Sequence, residues 1–172
     1  VSYIWDSNLK DIEVSRQKVA RFINCEAANL LMYRNSTMGF GIALNSADLP
    51  EGSEVLISDQ EYGHIISQLS NFAKQKNIKI KTVNLPMALD GNNLSSSELA
   101  NLFLDKMNAK VSAIFISHVT SATGLVLPVK KICEAAREKG IVSIIDGAHA
   151  PGLIPLDLKS IDADFYFGNG HK

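Results

Sequence analysis

Val142-Ser143-Ile144-Ile145-Asp146-Gly147-Ala148-His149 decides how this chain is read. A run of strand length, apolar except for one serine, carries a carboxylate and an imidazole to its far end. A second stretch repeats the plan. Ala163-Asp164-Phe165-Tyr166-Phe167-Gly168-Asn169-Gly170-His171-Lys172 closes an aromatic run with an amide, an imidazole and an amine. Runs that stay apolar instead of alternating read as strands buried on both faces, and such strands need helices above and below them.

Working outward from these two runs, helix and strand patterns alternate along most of the chain. Leu9 to Ile23 has the spacing of an amphipathic helix, with Leu9, Ile12, Val19 and Ile23 among its apolar positions. Asn29 to Tyr33 reads as a short strand. Asn35-Ser36-Thr37 then opens a helix to about Leu44. Val55 to Ser58 is a strand, Ile65 to Lys74 a helix, and Ile78 to Leu85 a strand. Ala88 to Ser96 reads as a polar loop before a helix from Ser97 to Met107. Val111 to Ile116 is an apolar strand, and Pro128 to Lys139 a helix stopped by Gly140. Strands at Val142–Ile145 and Phe165–Phe167 complete the set. The expected architecture is a single α/β domain, a three-layer α/β/α arrangement around a mostly parallel sheet.

Composition narrows the class. Among 172 residues, 46% are hydrophobic and 20% charged, which suits a soluble domain with a real core. A net charge of -1 without a Lys/Arg cluster argues against an electrostatic nucleic-acid partner. No apolar run approaches the roughly 20 residues of a membrane span. Val1-Ser2-Tyr3-Ile4-Trp5-Asp6 lacks the charged start and apolar core of a signal peptide. It also lacks a Met, so the natural chain is expected to begin earlier. Cys25 and Cys133, far apart and without metal spacing, read as reduced thiols of a cytoplasmic protein.

In open parallel sheets, ligands gather beyond the carboxyl ends of the strands, and the chain's polar residues recur at those points. Asn35, Ser36 and Thr37 follow the first strand. Asp59, Glu61, Tyr62 and His64 follow the second. His118, Thr120 and Ser121 follow Val111–Ile116, and Asp146 and His149 follow Val142–Ile145. Four such loops before a closing lysine point to one site. Each residue also has a plain structural reading. Ser36 and Thr37 can be a helix cap or, with the free N–H groups there, a phosphate holder. Asp146 can be a turn residue, Tyr62 packing, Asn169 and His171 loop residues, and Lys172 a solvated surface lysine. His149 with Asp146 would make half a metal site, but no other group has metal spacing. His64 and His118 read as structural. Gly39-Phe40-Gly41 lacks the third glycine of a dinucleotide fingerprint. A carboxylate at one strand end and a lysine at another are what a pyridoxal phosphate enzyme requires. The amine holds the cofactor aldehyde as a Schiff base, and the carboxylate keeps the pyridine nitrogen protonated.

Asp146-Gly147-Ala148-His149-Ala150-Pro151-Gly152 and Phe167-Gly168-Asn169-Gly170-His171-Lys172 together resemble the class V aminotransferase group of fold-type I pyridoxal phosphate enzymes. Within it the likeness is to the isopenicillin N epimerase-like branch, with cysteine desulfurases more distant. The resemblance runs from about Ile12 to Lys172. It implies that Lys172 carries the cofactor and shuttles the substrate α-proton, and that Asp146 pairs with the pyridinium nitrogen. It implies His149 and Ser121 near the cofactor's phenolic oxygen and Tyr62 stacked on the ring. Ser36 and Thr37 would hold the phosphate, with Asn169 and His171 completing the cup. Ser121 and Asn169 depart from the residue types expected in desulfurases, which favours the epimerase-like branch.

The same resemblance implies an amino acid substrate, a homodimer, and a small C-terminal domain that this chain does not contain. Residues 1–172 would then be most of the large cofactor-binding domain, ending at the Schiff-base lysine. The expected chemistry is transamination, epimerisation or C–S lysis. Three alternatives stand beside it: a cysteine desulfurase or selenocysteine lyase, a non-catalytic homologue with a decayed site, and a nucleotide-binding Rossmann module.

Overall fold

The computed structural model describes residues 8–86 and 94–172. Five strands form one sheet: β1 (Glu54–Ser58), β2 (Lys79–Val83), β3 (Val111–Ser117), β4 (Val142–Gly147) and β5 (Phe165–Gly168). Their order is β2-β1-β3-β4-β5 and every pairing is parallel. The register sets Ser117 beside Asp146 and Gly147 beside Gly168, so the carboxyl ends of β3, β4 and β5 form one edge.

Period-two alternation sends neighbouring residues of each strand to opposite faces, and the helices divide accordingly. On one face Val55, Ile57, Ala113, Phe115, Ile144 and Phe167 pack against α2 (Ser36–Ser46) and α3 (Gly63–Gln75). On the other, Leu56, Ile114, Ile116 and Ile145 pack against α4 (Ser96–Leu104) and α5 (Val129–Glu138). The α2 face is tied by aromatics: the Phe40 and Phe115 rings lie 4.7 Å apart, and Phe115 stacks on Phe167 at 6.4 Å. Each such side chain, fully buried, contributes roughly 1.5–3 kcal/mol of transfer free energy. These two apolar layers make the sheet rigid enough to hold polar groups at its edge.

Side-chain caps fix the starts of α4 and α2. Ser95 and Glu98 form a reciprocal capping box at α4, and Asn35 caps α2 by accepting from the Met38 N–H at 2.9 Å. Gly140 ends α5 with φ of 67°. α1 (Asn8–Phe22) agrees with the periodic stretch that begins at Leu9.

Two readings need correction. Asn29–Tyr33 is not a strand. A short 3-10 turn covers Ala27–Asn29, and the chain beyond it runs irregularly to α2. Leu31 and Met32 are 66% and 51% exposed, so this apolar run never enters the sheet that would have paired it. The second is an omission: Leu158–Ile161 forms a one-turn helix, α6, capped by Asp157, too short to leave a periodic signal. The loop expected over Ala88 to Ser96 falls mostly on residues 87–93, outside the described residues.

Candidate functional site

β4 ends in a turn built by the residue it delivers. Asp146 is 5% exposed, and its Oδ1 accepts the Ala148 N–H at 2.8 Å. Its backbone carbonyl accepts the His118 N–H at 2.8 Å, which joins the chain past β3 to the end of β4. Gly147 is required because the Tyr166 ring occupies the space where any Cβ would go. Burial pushes the Asp146 carboxyl above the usual carboxylate range. The Ala148 N–H opposes that shift first, followed by the charges of Lys172 and His149.

His149 follows on the next turn, half-buried. Its Nε2 lies 3.1 Å from Lys172 Nζ. That nitrogen accepts from the ammonium form or donates to the free amine, so the pair can pass a proton between them. Lys172 Nζ also stands 5.9 Å from the centre of the Tyr62 ring. Tyr62 is 44% exposed and immediately precedes α3, with the His64 ring 5.3 Å from its own. Residues from the ends of β1, β4 and β5 thus converge on one point.

The end of β5 is fastened to the start of α2. Asn169 Oδ1 accepts the Ser36 N–H at 3.2 Å, and its amide donates to Ser36 Oγ at 3.1 Å. Asn35 and Asn169 therefore take the Met38 and Ser36 N–H groups. The Ser36 and Thr37 hydroxyls and the Thr37 N–H are the donors left at this helix start, where the peptide dipoles favour an anion. Gly39, one turn further, is needed because Tyr33 lies against the helix where a Cβ would sit. Burial, and then the negative charge of Asp146, raises the Tyr33 hydroxyl above its ordinary value.

The predicted residues are not equally placed. Asp146, His149, Lys172 and Tyr62 come together, and Ser36 and Asn169 are bonded to each other. Thr37 is exposed at the same helix start. Ser121 and His171 are exposed, without a hydrogen bond to the other candidates among the described residues. Ser121 sits in a loop whose structure is carried by its neighbours: Thr120 Oγ1 accepts the Leu125 N–H at 2.9 Å and meets Thr123 Oγ1 at 2.7 Å.

One residue escaped sequence reasoning, and another was noted there without a role. Tyr166, read only as part of an apolar strand, places its hydroxyl 2.9 Å from His118 Nδ1, giving that histidine the partner the sequence did not suggest. Glu61 joins the ends of β1 and β3 through Ser58 and Ser117. A tyrosine between two phenylalanines on one strand was the available signal for the first, since alternation sends it to the other face. In the sequence Glu61 is only one of several polar residues after β1, and its distance from β3 along the chain hides the bond to Ser117. A groove of about 890 Å³ runs between α1, α2 and β5 and reaches Asn169 and Lys172, but Asp146, His149 and Tyr62 lie off it.

Known proteins resemble this chain in sequence and in fold. Isopenicillin N epimerase of Streptomyces clavuligerus is 35% identical over 159 residues, covering 92% of this chain and 39% of that protein. Hercynylcysteine sulfoxide lyase of Schizosaccharomyces pombe is 30% identical over 162 residues, covering 94% and 40%. Two solved structures of the lyase C-DES superimpose with a TM-score of 0.87 at 26% identity, one of them covering 99% of this chain and 44% of its own. That one carries a glycine covalently linked to the pyridoxal phosphate cofactor, and the other is a complex of the cystine C-S lyase with its product cysteine persulfide. The chain spans about 40% of the length of the curated relatives it matches. A family model for class-V aminotransferases matches residues 6–172, and the chain belongs to that family.

Proposed function

We propose that this chain forms the cofactor-binding part of a pyridoxal phosphate-dependent enzyme that acts on an amino acid, with Lys172 as the residue that holds the cofactor. One observation carries the reading: Lys172 Nζ stands 3.1 Å from His149 Nε2 and 5.9 Å from the Tyr62 ring, beside the buried carboxylate of Asp146. The donor set fits the group. It offers an amine for the aldehyde, a low-dielectric carboxylate for the ring nitrogen, and an aromatic face for the ring. Hydroxyls at the start of α2 suit the phosphate.

When bound, the pyridine ring would accept the electrons released at a substrate α-carbon. Asp146 would hold a proton on the ring nitrogen, since an ionised carboxylate in so buried a place is stabilised by a cation against it. Tyr62 would cover one face of the ring. Ser36 and Thr37 would anchor the phosphate, with Asn169 holding Ser36 in place, His171 at the rim and Ser121 near the phenolic oxygen. Lys172 would hold the aldehyde and later move the α-proton, with His149 relaying protons to its amine.

Which α-bond breaks depends on how the substrate is held. Transamination, epimerisation and C–S lysis are all within reach of this set of groups, and likeness to both an epimerase and C–S lyases supports the latter two. Cysteine desulfuration is the nearest alternative. The reading includes a cytoplasmic homodimer. Leu31, Met32 and Ile42, apolar and exposed beside the α1–α2 groove, support a subunit contact there. No described helix is long and apolar enough to cross a membrane.

The test is an absorbance spectrum of the purified full-length protein with pyridoxal phosphate, before and after borohydride. The expected result is a visible band that borohydride fixes onto the Lys172 peptide, found by mass mapping. Lys172→Ala should abolish that attachment and lower turnover at least about a thousandfold. An unchanged band in the variant would overturn the assignment.

A further inference from the structure

The crevice between β1 and β3 is where the strand order reverses: β2 lies to one side of β1 and the later strands to the other. Such reversals open a cleft at the carboxyl edge, since the connections leave β1 and β3 in opposite directions. Here the cleft is spanned by one side chain. Ser58, the last residue of β1, donates its hydroxyl to Glu61 Oε1 at 2.5 Å, and Ser117, the last residue of β3, donates to Glu61 Oε2 at 2.5 Å. Ser58 Oγ in turn accepts the Gln60 N–H at 3.2 Å, and the Asp59 carboxylate accepts the Leu85 N–H at 3.0 Å. Asp59, Gln60 and Glu61, the three residues that lead from β1 to Tyr62, are thereby each held.

Simple strand closure does not require this arrangement. Ser58 and Ser117 are 1% and 3% exposed, and the ordinary choice at such positions is an apolar residue. The fold instead places a carboxylate there, at a desolvation cost that raises the Glu61 carboxyl above its usual range, with the two hydroxyls as the main compensation. The groups facing it are Ser58, Ser117 and, one strand further, Asp146, which lies beside Ser117 in the register. A second acid beside the carboxylate meant for the ring nitrogen adds like-charge repulsion. Both costs are met for a brace that fixes the turn presenting Tyr62.

We propose that Glu61 is a positioning residue for the candidate cofactor ring, bracing β1 against β3 so that Tyr62 is held over the Lys172 amine. This rests on the cofactor reading above. Glu61 touches neither Lys172 nor Tyr62 through its carboxylate; it acts through the backbone of Gln60 and Glu61 itself. Glutamine at this position retains an acceptor for one serine and offers an N–H to the other, so a brace tolerates it, whereas alanine removes both contacts.

The experiment titrates pyridoxal phosphate into the full-length apoprotein and reads affinity and the visible circular dichroism of the bound cofactor. Amide hydrogen exchange of residues 59–62 in the apoprotein is measured in parallel. Expected are at least a tenfold loss of affinity and a diminished dichroic band in Glu61→Ala, with faster exchange at Gln60. Glu61→Gln should stay within about threefold of the parent on every readout. Native affinity and dichroism in Glu61→Ala would overturn the proposal, as would a glutamine variant as poor as alanine. Ser117→Ala, which cuts only the β3 contact, decides the matter if Glu61→Ala does not fold: unchanged affinity and exchange there also overturn it. Failure of the parent protein to bind pyridoxal phosphate would instead overturn the cofactor reading, while faster Gln60 exchange in the variant apoproteins would still establish the brace.

Discussion

At the carboxyl edge of the sheet, buried polar groups occupy both faces, and they are finished differently. On the α5 side, His118 and Tyr166 close on each other at 2.9 Å. Burial drives the His118 imidazole down to about 4 and the Tyr166 hydroxyl well above its ordinary value, so both are neutral and satisfied. On the α2 side, Asp146 accepts one backbone N–H, while Lys172 and His149 meet each other and stand open to solvent. A closed pair offers little to a ligand, because His118 Nδ1 and the Tyr166 hydroxyl are already bonded to each other. An open set carries unmet capacity and some cost in stability, which suits the place proposed for the cofactor. Polarity alone does not distinguish the two faces; completion does.

The comparison breaks most sharply at Asp146. Asp146→Asn keeps an oxygen for the Ala148 N–H but removes the charge. Turnover should fall on the order of a hundred- to a thousandfold, as expected when a single charge-stabilising group is lost, and cofactor affinity should fall far less. The apoprotein should gain about 1 kcal/mol at neutral pH. The sign follows from burial: the folded carboxyl titrates above its ordinary 3.8, so the folded state binds more protons there and stability declines as pH rises through that window. Near-normal turnover in this variant would place the ring nitrogen elsewhere. An apoprotein less stable than the parent would show that the open face is not strained.

The closed pair should respond to pH with the opposite slope. His118 titrates at about 4 when folded and at its ordinary 6.5 when unfolded, so between those values the unfolded chain binds more protons. Its contribution is intact above pH 6.5 and lost as pH falls to about 4. At roughly 1.4 kcal/mol per pH unit, and discounted for solvent reaching the ring, the loss is about 2 kcal/mol. Urea unfolding of the apoprotein at several pH values checks this, with His118→Gln as the control in which that part of the slope disappears. A variant with the parent's slope would assign the acid sensitivity to other groups.

The sequence revealed the layers and the strand ends well, and the reasons are physical. Ile144, Ile145, Phe115 and Phe167 are apolar without alternation because helices cover both faces, and that pattern needs no tertiary knowledge. Asp146 stood out as a carboxylate directly after such a run, and His149 and Lys172 as polar residues in the segments that follow β4 and β5. Asn29–Tyr33 was misread because an apolar run of strand length carries no record of whether a partner strand exists; Leu31 and Met32 remain exposed. Tyr166 was missed, and Glu61 was noted without a role, because their partners, His118 and Ser117, lie 48 and 56 residues away, and no local pattern encodes such a pairing. Asn169 was placed at the phosphate by resemblance, while its bond to Ser36 emerged only from the fold.

That bond gives the smallest effect and the finest test of open against closed. Asn169→Ala removes both contacts to Ser36, and two consequences oppose each other. The Ser36 N–H is freed for an anion, which strengthens phosphate binding. The strand end that carries Lys172 is also released from α2, which weakens it. A hydrogen bond of this kind contributes about 1 kcal/mol net, and the freed donor recovers part of that, so a three- to fivefold loss of pyridoxal phosphate affinity is expected. Inorganic phosphate, which needs no lysine, separates the two: it should compete as well as or slightly better than with the parent protein. If both ligands weaken together, Asn169 contacts the anion directly. If both tighten, the bridge to Ser36 is a closed contact that the holoenzyme must open, and the start of α2 belongs with His118 and Tyr166 instead of with Lys172.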